Sequence, residues 1–422
     1  MKHFYVRVTT RSPLALRADH APGGARTAQA LPGTVLQGSL AESHRLLYPE
    51  QDDEFATLFL NEQISFSYLY PAQFTVRSFQ QANLPVRPLP KTALSCKRFP
   101  GFQAIDGEDD DDERHGVCDG LLDWAVFSLL NKEQASPASL LTAFASHDTC
   151  SSLQRGKPCG QPLEHIQGYY RRSRSHPSQR MKASIETRLQ TRTGMNREWG
   201  TVEEGILYNR EVFDEDTCFW GEIILRDELG DPFKAFLEEA DTEDIIHIGT
   251  ARTRGLGRVE VKIVDARRED LAAFQQRLVT FDAHVRARAQ AASVRDLAPF
   301  YLAVTLQSPA ILRDPFLRAQ KTLDLAGLPE IAGLSRYTFQ RIYQSAAMQR
   351  VAGWNMLWGT PRAPRYALEM GSTFLFACGR EPGEELLKVL HQWEETGIGC
   401  DRAEGFGRVS ISDPFHLERE QA

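Results

Sequence analysis

A chain of 422 residues is too long for one compact core and accommodates two or three domains. With 42% hydrophobic and 25% charged residues it has the composition of a folded globular protein, which excludes collagen-like, coiled-coil and wholly disordered chains. Its 49 basic and 56 acidic side chains leave a formal charge of −7, so a uniformly basic nucleic-acid binder is excluded while a local basic face is not.

The first residues, Lys2 to Val8, alternate as a strand does and contain no apolar signal core. No run of about 18 apolar residues follows, so no membrane span is expected. Seven cysteines, odd in number and thinly spread, suit a reducing compartment, and the cytoplasm is the expected location. The first strand ends at Ser12-Pro13, because proline breaks the ladder and restricts its neighbour. A small-residue segment, 31–40, then leads to a helical stretch at 41–47. Residues 84–179 read as an insertion, with an acid run at 106–113, four cysteines and scattered Pro and Gly. A returning strand (217–225), a helical stretch (232–240), a Gly-rich loop (247–257) and a closing strand (258–263) complete the first half. A connecting helix is expected over 271–294. The second half offers a strand from 300, another at 372–377, a helix at 384–393, a Gly-rich loop and a closing strand at 408–411.

The two halves share a pattern. Residues 4–16 (FYVRVTTRSPLAL) and 300–312 (FYLAVTLQSPAIL) are identical at seven of thirteen positions. Residues 247–259 (HIGTARTRGLGRV) and 397–409 (GIGCDRAEGFGRV) are again identical at seven of thirteen. Two matches in the same order indicate an internal repeat. Strand, helical crossover and returning strand in each copy predict an α+β fold: two ferredoxin-like (RRM-like, βαββαβ) domains in tandem, with a large insertion in the first. The expected boundaries are 1–268, a connecting helix over 269–297, and 298–422. Sheets of this kind serve RRM-type proteins as an RNA platform, although fold alone licenses no function.

Three features could hold a polyanion. Gly255 and Gly257 stand among Arg252, Arg254 and Arg258; free amides in such a loop form an anion-binding concavity, and guanidiniums add bidentate phosphate contacts. A tight helix-to-strand turn with solvated arginines is the plainer reading of the same residues. In the second copy Glu404 replaces the arginine equivalent to Arg254, so that loop should grip phosphate less well or face protein. Residues 171–197 carry eight basic side chains against one acid, Glu186, and Arg180, Lys182, Arg188, Arg192 and Arg197 are candidate RNA contacts. A solvated basic loop is the alternative. Within 33–39, Gly33, Thr34, Gln37, Gly38 and Ser39 could present amides at the positive end of a helix dipole, or simply make a cap and turn.

The insertion's Cys96, Cys118, Cys150 and Cys159, with His115, His147 and His165 nearby, could hold a structural zinc in a segment too small for its own core. Cys150 and Cys159 lead that set, completed by Cys96 and either His115 or Cys118. The absence of a CxxC pair favours four scattered thiols instead. No cofactor is otherwise required. The chain has no Walker loop, HExxH, GxSxG or HD-type metal pair. A metal-independent ribonuclease needs only one or two histidines, and His20, just after the first strand, is the one to test.

The PGTVLQGSL segment at 32–40, Cys96-Lys97, His115-Gly116, Cys150 with Cys159-Gly160, the EGILY run at 204–208 and the stretch from Ile248-Gly249 to Arg258-Val259 resemble, in that order, the RAMP superfamily of CRISPR proteins. The likeness is greatest to the type III-D subunits written Csx-ten, of the handle-binding, Cas-five-like group. The resemblance implies a non-catalytic subunit of a crRNA-guided type III effector complex that holds the 5′ repeat-derived handle, with loop 252–258 and segment 33–39 lining the handle site. Gln37 stands where such proteins often carry arginine. The implied partners are crRNA, the large subunit, the backbone subunits and, indirectly, target RNA. A repeat-cleaving endoribonuclease of the same superfamily and a scaffold that binds only protein are the alternatives.

Overall fold

The computed structural model describes residues 1–16, 27–81, 84–104, 113–134, 140, 149–154, 157–173, 179–195, 198, 202–265, 269–331, 333–355 and 360–417. Strand β1 (Lys2–Thr10) is followed by α1 (Gly33–Leu47), α2 (Asp52–Phe59), β2 (Ile64–Phe66), β3 (Tyr70–Pro71) and the short α3 (Arg77–Gln81). The expected insertion holds β4 (Arg87–Pro88), β5 (Ala93–Cys96), β6 (Val117–Asp119), α4 (Leu121–Lys132), β7 (Leu153–Gln154), β8 (Lys157–Pro158), β9 (Leu163–His165) and β10 (Tyr169–Arg172), with β11 (Arg180–Ala183) beyond it. A long ribbon, β12 (Thr187–Met195) and β13 (Val202–Phe213), leads into β14 (Cys218–Leu225), α5 (Gly230–Thr242) and β15 (Val259–Asp265). Helix α6 (Leu271–Ala291) connects to β16 (Phe300–Leu306), β17 (Phe339–Ser345), β18 (Met348–Val351), β19 (Trp354–Asn355), β20 (Thr360–Pro361), β21 (Arg365–Leu368), β22 (Thr373–Cys378), α7 (Glu384–Thr396) and β23 (Val409–Ile411).

The architecture is mixed α and β, built on small antiparallel sheets. The first main sheet runs β15-β1-β14-β2, and the second runs β17-β22-β16-β23. Both therefore follow the order fourth, first, third, second among their principal strands. The second sheet departs from the expected βαββαβ series, because among the described residues no helix separates β16 from β17. Pro315, Gly327, Pro329 and Gly333 interrupt that stretch, where helix propensity and amide donors are lost. Leu323, Leu325, Leu328 and Ile331 fill the core there from turns instead. No helix among the described residues is long and apolar enough to cross a membrane.

Alternation along β1 assigns the faces of the first sheet. Phe4, Val6 and Val8 pack with Leu36 and Leu40 of α1 and with Phe233, Phe236 and Leu237 of α5. On the other face the insertion lies over the sheet: Tyr169 stacks on Tyr70 at 5.1 Å, and the Arg171 guanidinium sits 4.8 Å from the Trp220 ring. The second sheet is covered by α7 and the start of α6 on one side. On its other side Leu121, Ala125 and Leu129 of α4 meet Tyr301, Ala303 and Leu375. Strand β16 is consequently buried along its whole length. The open RNA platform expected of an RRM-like sheet is not exposed on either sheet, because the insertion covers both outer faces.

Ion pairs fix this cover. Arg87 on β4 reaches Asp413 at 2.6 Å, and Lys91 reaches Glu369 at 2.6 Å. Burial alone would raise the Asp413 carboxyl, but Arg87, Arg172 and His416 together hold it well below the usual carboxylate range.

The repeated sequences form one structural lock, built twice. The Gly257 amide donates to the Pro13 carbonyl (3.0 Å) and the Arg258 amide to the Ser12 hydroxyl (2.9 Å). In the second copy Gly407 donates to Pro309 (2.8 Å) and Arg408 to Ser308 (2.9 Å). Gly257 and Gly407 lie at φ +86° and +73°, and a Cβ would fall 2.1 and 1.8 Å from the Ile248 and Ile398 carbonyl oxygens. Only glycine fits. Gly407→Ala should therefore lower stability by about 3 kcal/mol. Gly38→Ala, on an open helical surface, should raise it by about 0.5 kcal/mol. Urea unfolding measures both, and equal midpoints for the two variants would contradict the lock.

Candidate nucleic-acid interface

Strands β12 and β13 pair with each other from Thr187↔Phe213 to Met195↔Val202 and with no other strand among those described. An isolated ribbon is marginal in water, and this one is anchored at its base. Leu14 bridges to Phe213, Glu211 accepts the Thr27 amide at 2.7 Å, and Val212 packs with Ala15 and Leu256. Residue alternation puts Arg188, Gln190 and Arg192 on one side of the ribbon. Arg188 is exposed and pairs with Asp214 at 2.7 Å, while Arg192 donates to the Gln190 side chain at 3.0 and 3.1 Å. Leu189, 66% exposed, stands on the opposite side.

Loop 252–258 lies beside that base through Leu256. Four of its seven amides are engaged: Arg254 donates to Ala251, Gly255 to Arg252, Gly257 to Pro13 and Arg258 to Ser12. The expected amide concavity is thus largely taken up by the turn and its bonds to the first strand's end, and Gly255 and Gly257 serve backbone geometry. What the loop offers to solvent is guanidinium. Arg254 is exposed, Arg258 is half-exposed beside Asp244, and Arg252 pairs with Glu42. The second loop, 402–408, faces protein. Gly405 abuts the Phe66 carbonyl, Ser65 Oγ donates to the Arg402 carbonyl at 2.9 Å, and Phe406 meets Tyr68 edge-on at 5.7 Å. Arg408 is buried there and donates to Ser65 Oγ at 3.0 Å.

Segment 33–39 is already helix, as the opening turns of α1. Gly33 is buried against the Phe66 and Glu404 carbonyls, which leaves no room for a phosphate at that helix end. Thr34 is half-buried, Gln37 donates to the Phe59 carbonyl at 3.1 Å, and Gly38 faces open space. Ser39 donates to the His247 carbonyl at 2.7 Å, which ties α1 to the first loop.

The basic stretch divides. Lys182 is exposed. Arg180 is not an RNA contact: it is 1% exposed, between the rings of Phe102 and Phe415, and donates to the Val117 carbonyl at 3.2 Å. The two buried arginines lie on opposite faces of the β10–β11 pair, Arg171 against Phe74 and Trp220 and Arg180 against Phe102 and Phe415. Cover on both faces rather than strand alternation buries them, and burial pulls the Arg171 guanidinium down to about 10. Arg197 and His20 lie outside the described residues, as does the acid run apart from Glu113.

Cys96, His115, Cys150 and Cys159 converge, with one ligand atom from each within 4.8 Å of the others. Cys118 lies outside this group, on β6 opposite Leu94, and His115 takes the fourth place. Sequence reasoning also missed a buried chain in which Asp119 meets His416 at 2.7 Å and His416 meets Thr305 at 2.8 Å. Thr305 is fully buried, so this chain links the insertion to the second sheet and offers no nucleophile. Between the sheets a cavity of about 300 Å³ is lined by Tyr5, Trp220, Arg87, Arg408, Glu222 and Glu394, a balanced set of charges rather than an anion site.

Over residues 7–260, more than half of its length, the sequence matches the RAMP superfamily. The chain belongs to that superfamily. No curated protein matches it. Among solved structures, the type III-B Cmr-beta complex bound to cognate target RNA and AMPPnP shares 10% identity and a TM-score of 0.38, over 93% of this chain and 88% of that one. Oligomeric Cmr4 from Pyrococcus furiosus shares 14% and 0.26, over 63% and 99%. A type IV-B CRISPR complex shares 11% and 0.26, over 64% and 93%.

Arg180→Ala should lower the urea midpoint, because it removes a buried guanidinium packed against two aromatic rings. An unaltered midpoint would return Arg180 to the surface.

Proposed function

We propose that this RAMP protein is an RNA-binding subunit of a crRNA-guided type III effector complex, acting by binding rather than turnover. On this reading it is a type III-D, Csx-ten-like subunit built of two tandem ferredoxin-like units, and it holds the 5′ handle of the crRNA beside the large subunit and the first backbone subunit. The observation that carries the proposal is the anchored ribbon. Arg188 and Arg192 rise from the base that, through Val212 and Leu256, adjoins the loop carrying Arg252, Arg254 and Arg258. This groups five arginines on an acidic protein, three of them paired with Asp214, Glu42 and Asp244. A ribbon and a guanidinium loop suit a single strand, whose backbone they track while its bases remain free to stack or pair. The acidic remainder of the surface suits protein neighbours and discourages nonspecific RNA binding.

Each phosphate neutralised on a single strand contributes about −0.7 to the slope of log affinity against log salt. Arg192→Ala combined with Arg254→Ala should weaken binding of handle RNA and flatten that slope by about 1.4. Fluorescence anisotropy at two or more salt concentrations reads both quantities. Unchanged affinity and slope would refute the interface, and a discrete cut in repeat RNA incubated with chelator would refute the binding-only mechanism.

A further inference from the structure

The insertion is asked to cover two sheets with little core of its own. Among the described residues its dedicated cluster comprises Leu89, Ala93, Phe102, Val117, Tyr170 and Phe415, and Phe415 lies far from it in sequence. A unit of this size needs a staple besides apolar burial.

The four converging side chains sit where a staple would act. Cys96 ends β5, and His115 stands just before β6, the strand that pairs with β5. Cys150 and Cys159 flank the β7–β8 hairpin. That hairpin's mouth is closed by bonds from the Cys159 amide to Ser152 (2.8 Å) and from the Gly160 amide to Cys150 (3.0 Å). Two separate hairpins are thereby brought to one point. Cys96 Sγ lies 4.0 Å from Cys159 Sγ, and His115 Nδ1 lies 3.2 Å from Cys150 Sγ. A disulfide needs its sulfurs about 2.05 Å apart. Sulfurs bound tetrahedrally at about 2.3 Å from a zinc ion stand about 3.8 Å apart, close to the 4.0 Å between Cys96 and Cys159.

The surroundings fit as well. Cys96, His115 and Cys150 are buried, and Cys159 is half-buried. Backbone amides of Arg98 and Phe99 lie at the Cys96 sulfur and Ser152 lies at that of Cys150, donors that can orient a sulfur ligand. With Nδ1 facing the cluster, the other imidazole nitrogen of His115 lies 3.3 Å from a Glu113 carboxylate oxygen, the partner that orients a metal-bound histidine. Three thiolates and one imidazole complete a tetrahedron with no position left for water or substrate, so the chemistry is structural rather than catalytic.

We propose that Cys96, His115, Cys150 and Cys159 bind one zinc ion that pins the β7–β8 hairpin to the β5–β6 hairpin and so stiffens the insertion covering both sheets. The site is independent of RNA binding. Full-length protein expressed with zinc in the medium should contain about one zinc per chain by elemental analysis. Cys159→Ser, at the least buried ligand, should lose it, and Cys118→Ser should keep it. Replacement of zinc by cobalt in the unsubstituted protein should give the intense visible bands of a tetrahedral thiolate site, and these should be absent in Cys159→Ser. Metal-free unsubstituted protein, a Cys96–Cys159 disulfide found by peptide mapping, or zinc retained in Cys159→Ser would each overturn the proposal, and the first two hold even if the variants fold poorly.

Discussion

A β-sheet that packs helices on one face must dispose of the other, and here one segment does so for two sheets at once. Strands β10 and β11 press Tyr169 and Arg171 onto Tyr70 and Trp220 of the first sheet, while α4 presses Leu121, Ala125 and Leu129 onto the second. The residues between these two covers are therefore committed to packing. Arg171 and Arg180 are spent inside against aromatic rings, with Arg171 over Trp220 on the aromatic side of β14. On the proposed function, contact with a polyanion is left to what projects beyond the sheets, the ribbon with its neighbouring loop.

The internal repeat acquires a physical meaning from this arrangement. Its most faithfully repeated residues, Ser-Pro at the end of a first strand and Gly-x-Gly-Arg before a last strand, close one hydrogen-bonded lock in each half. The two locks then diverge in what they face. In the first, Thr253 to Gly255 stand in solvent among arginines. In the second, Gly405 and Phe406 plug the gap beside β2 and join the two main sheets. One copied device thus serves as an exposed basic turn and as an internal joint. The change from Arg254 to Glu404 accords with that division, because Glu404 pairs with Arg362 at 2.9 Å within the protein.

Much of the framework was legible in the sequence because it rests on short-range rules. Alternation marks β1, the repeat of its residues at 300–312 marks β16, Ser-Pro marks their ends, and the paired Gly-rich motifs mark the parallel construction of the halves. What escaped depended on contacts between distant residues. The missing helix of the second half shows how a loop can fill a core when prolines and glycines forbid regular structure. In sequence Arg180 and Gly33 look like ligand groups, because charge and small size look the same whether they face RNA or a carbonyl in the interior. Spacing alone does not choose between His115 and Cys118, since strand register, which sets Cys118 opposite Leu94, is not visible in it.

On the proposed function, RNA runs along the ribbon and the first loop rather than across a sheet. Photocrosslinking of thiouridine-labelled crRNA to the full-length protein, followed by peptide mass spectrometry, tests this most directly. Crosslinks should map to residues 187–213 and 252–258. Crosslinks concentrated on Tyr5, Trp220 or residues 402–408 instead would contradict the account.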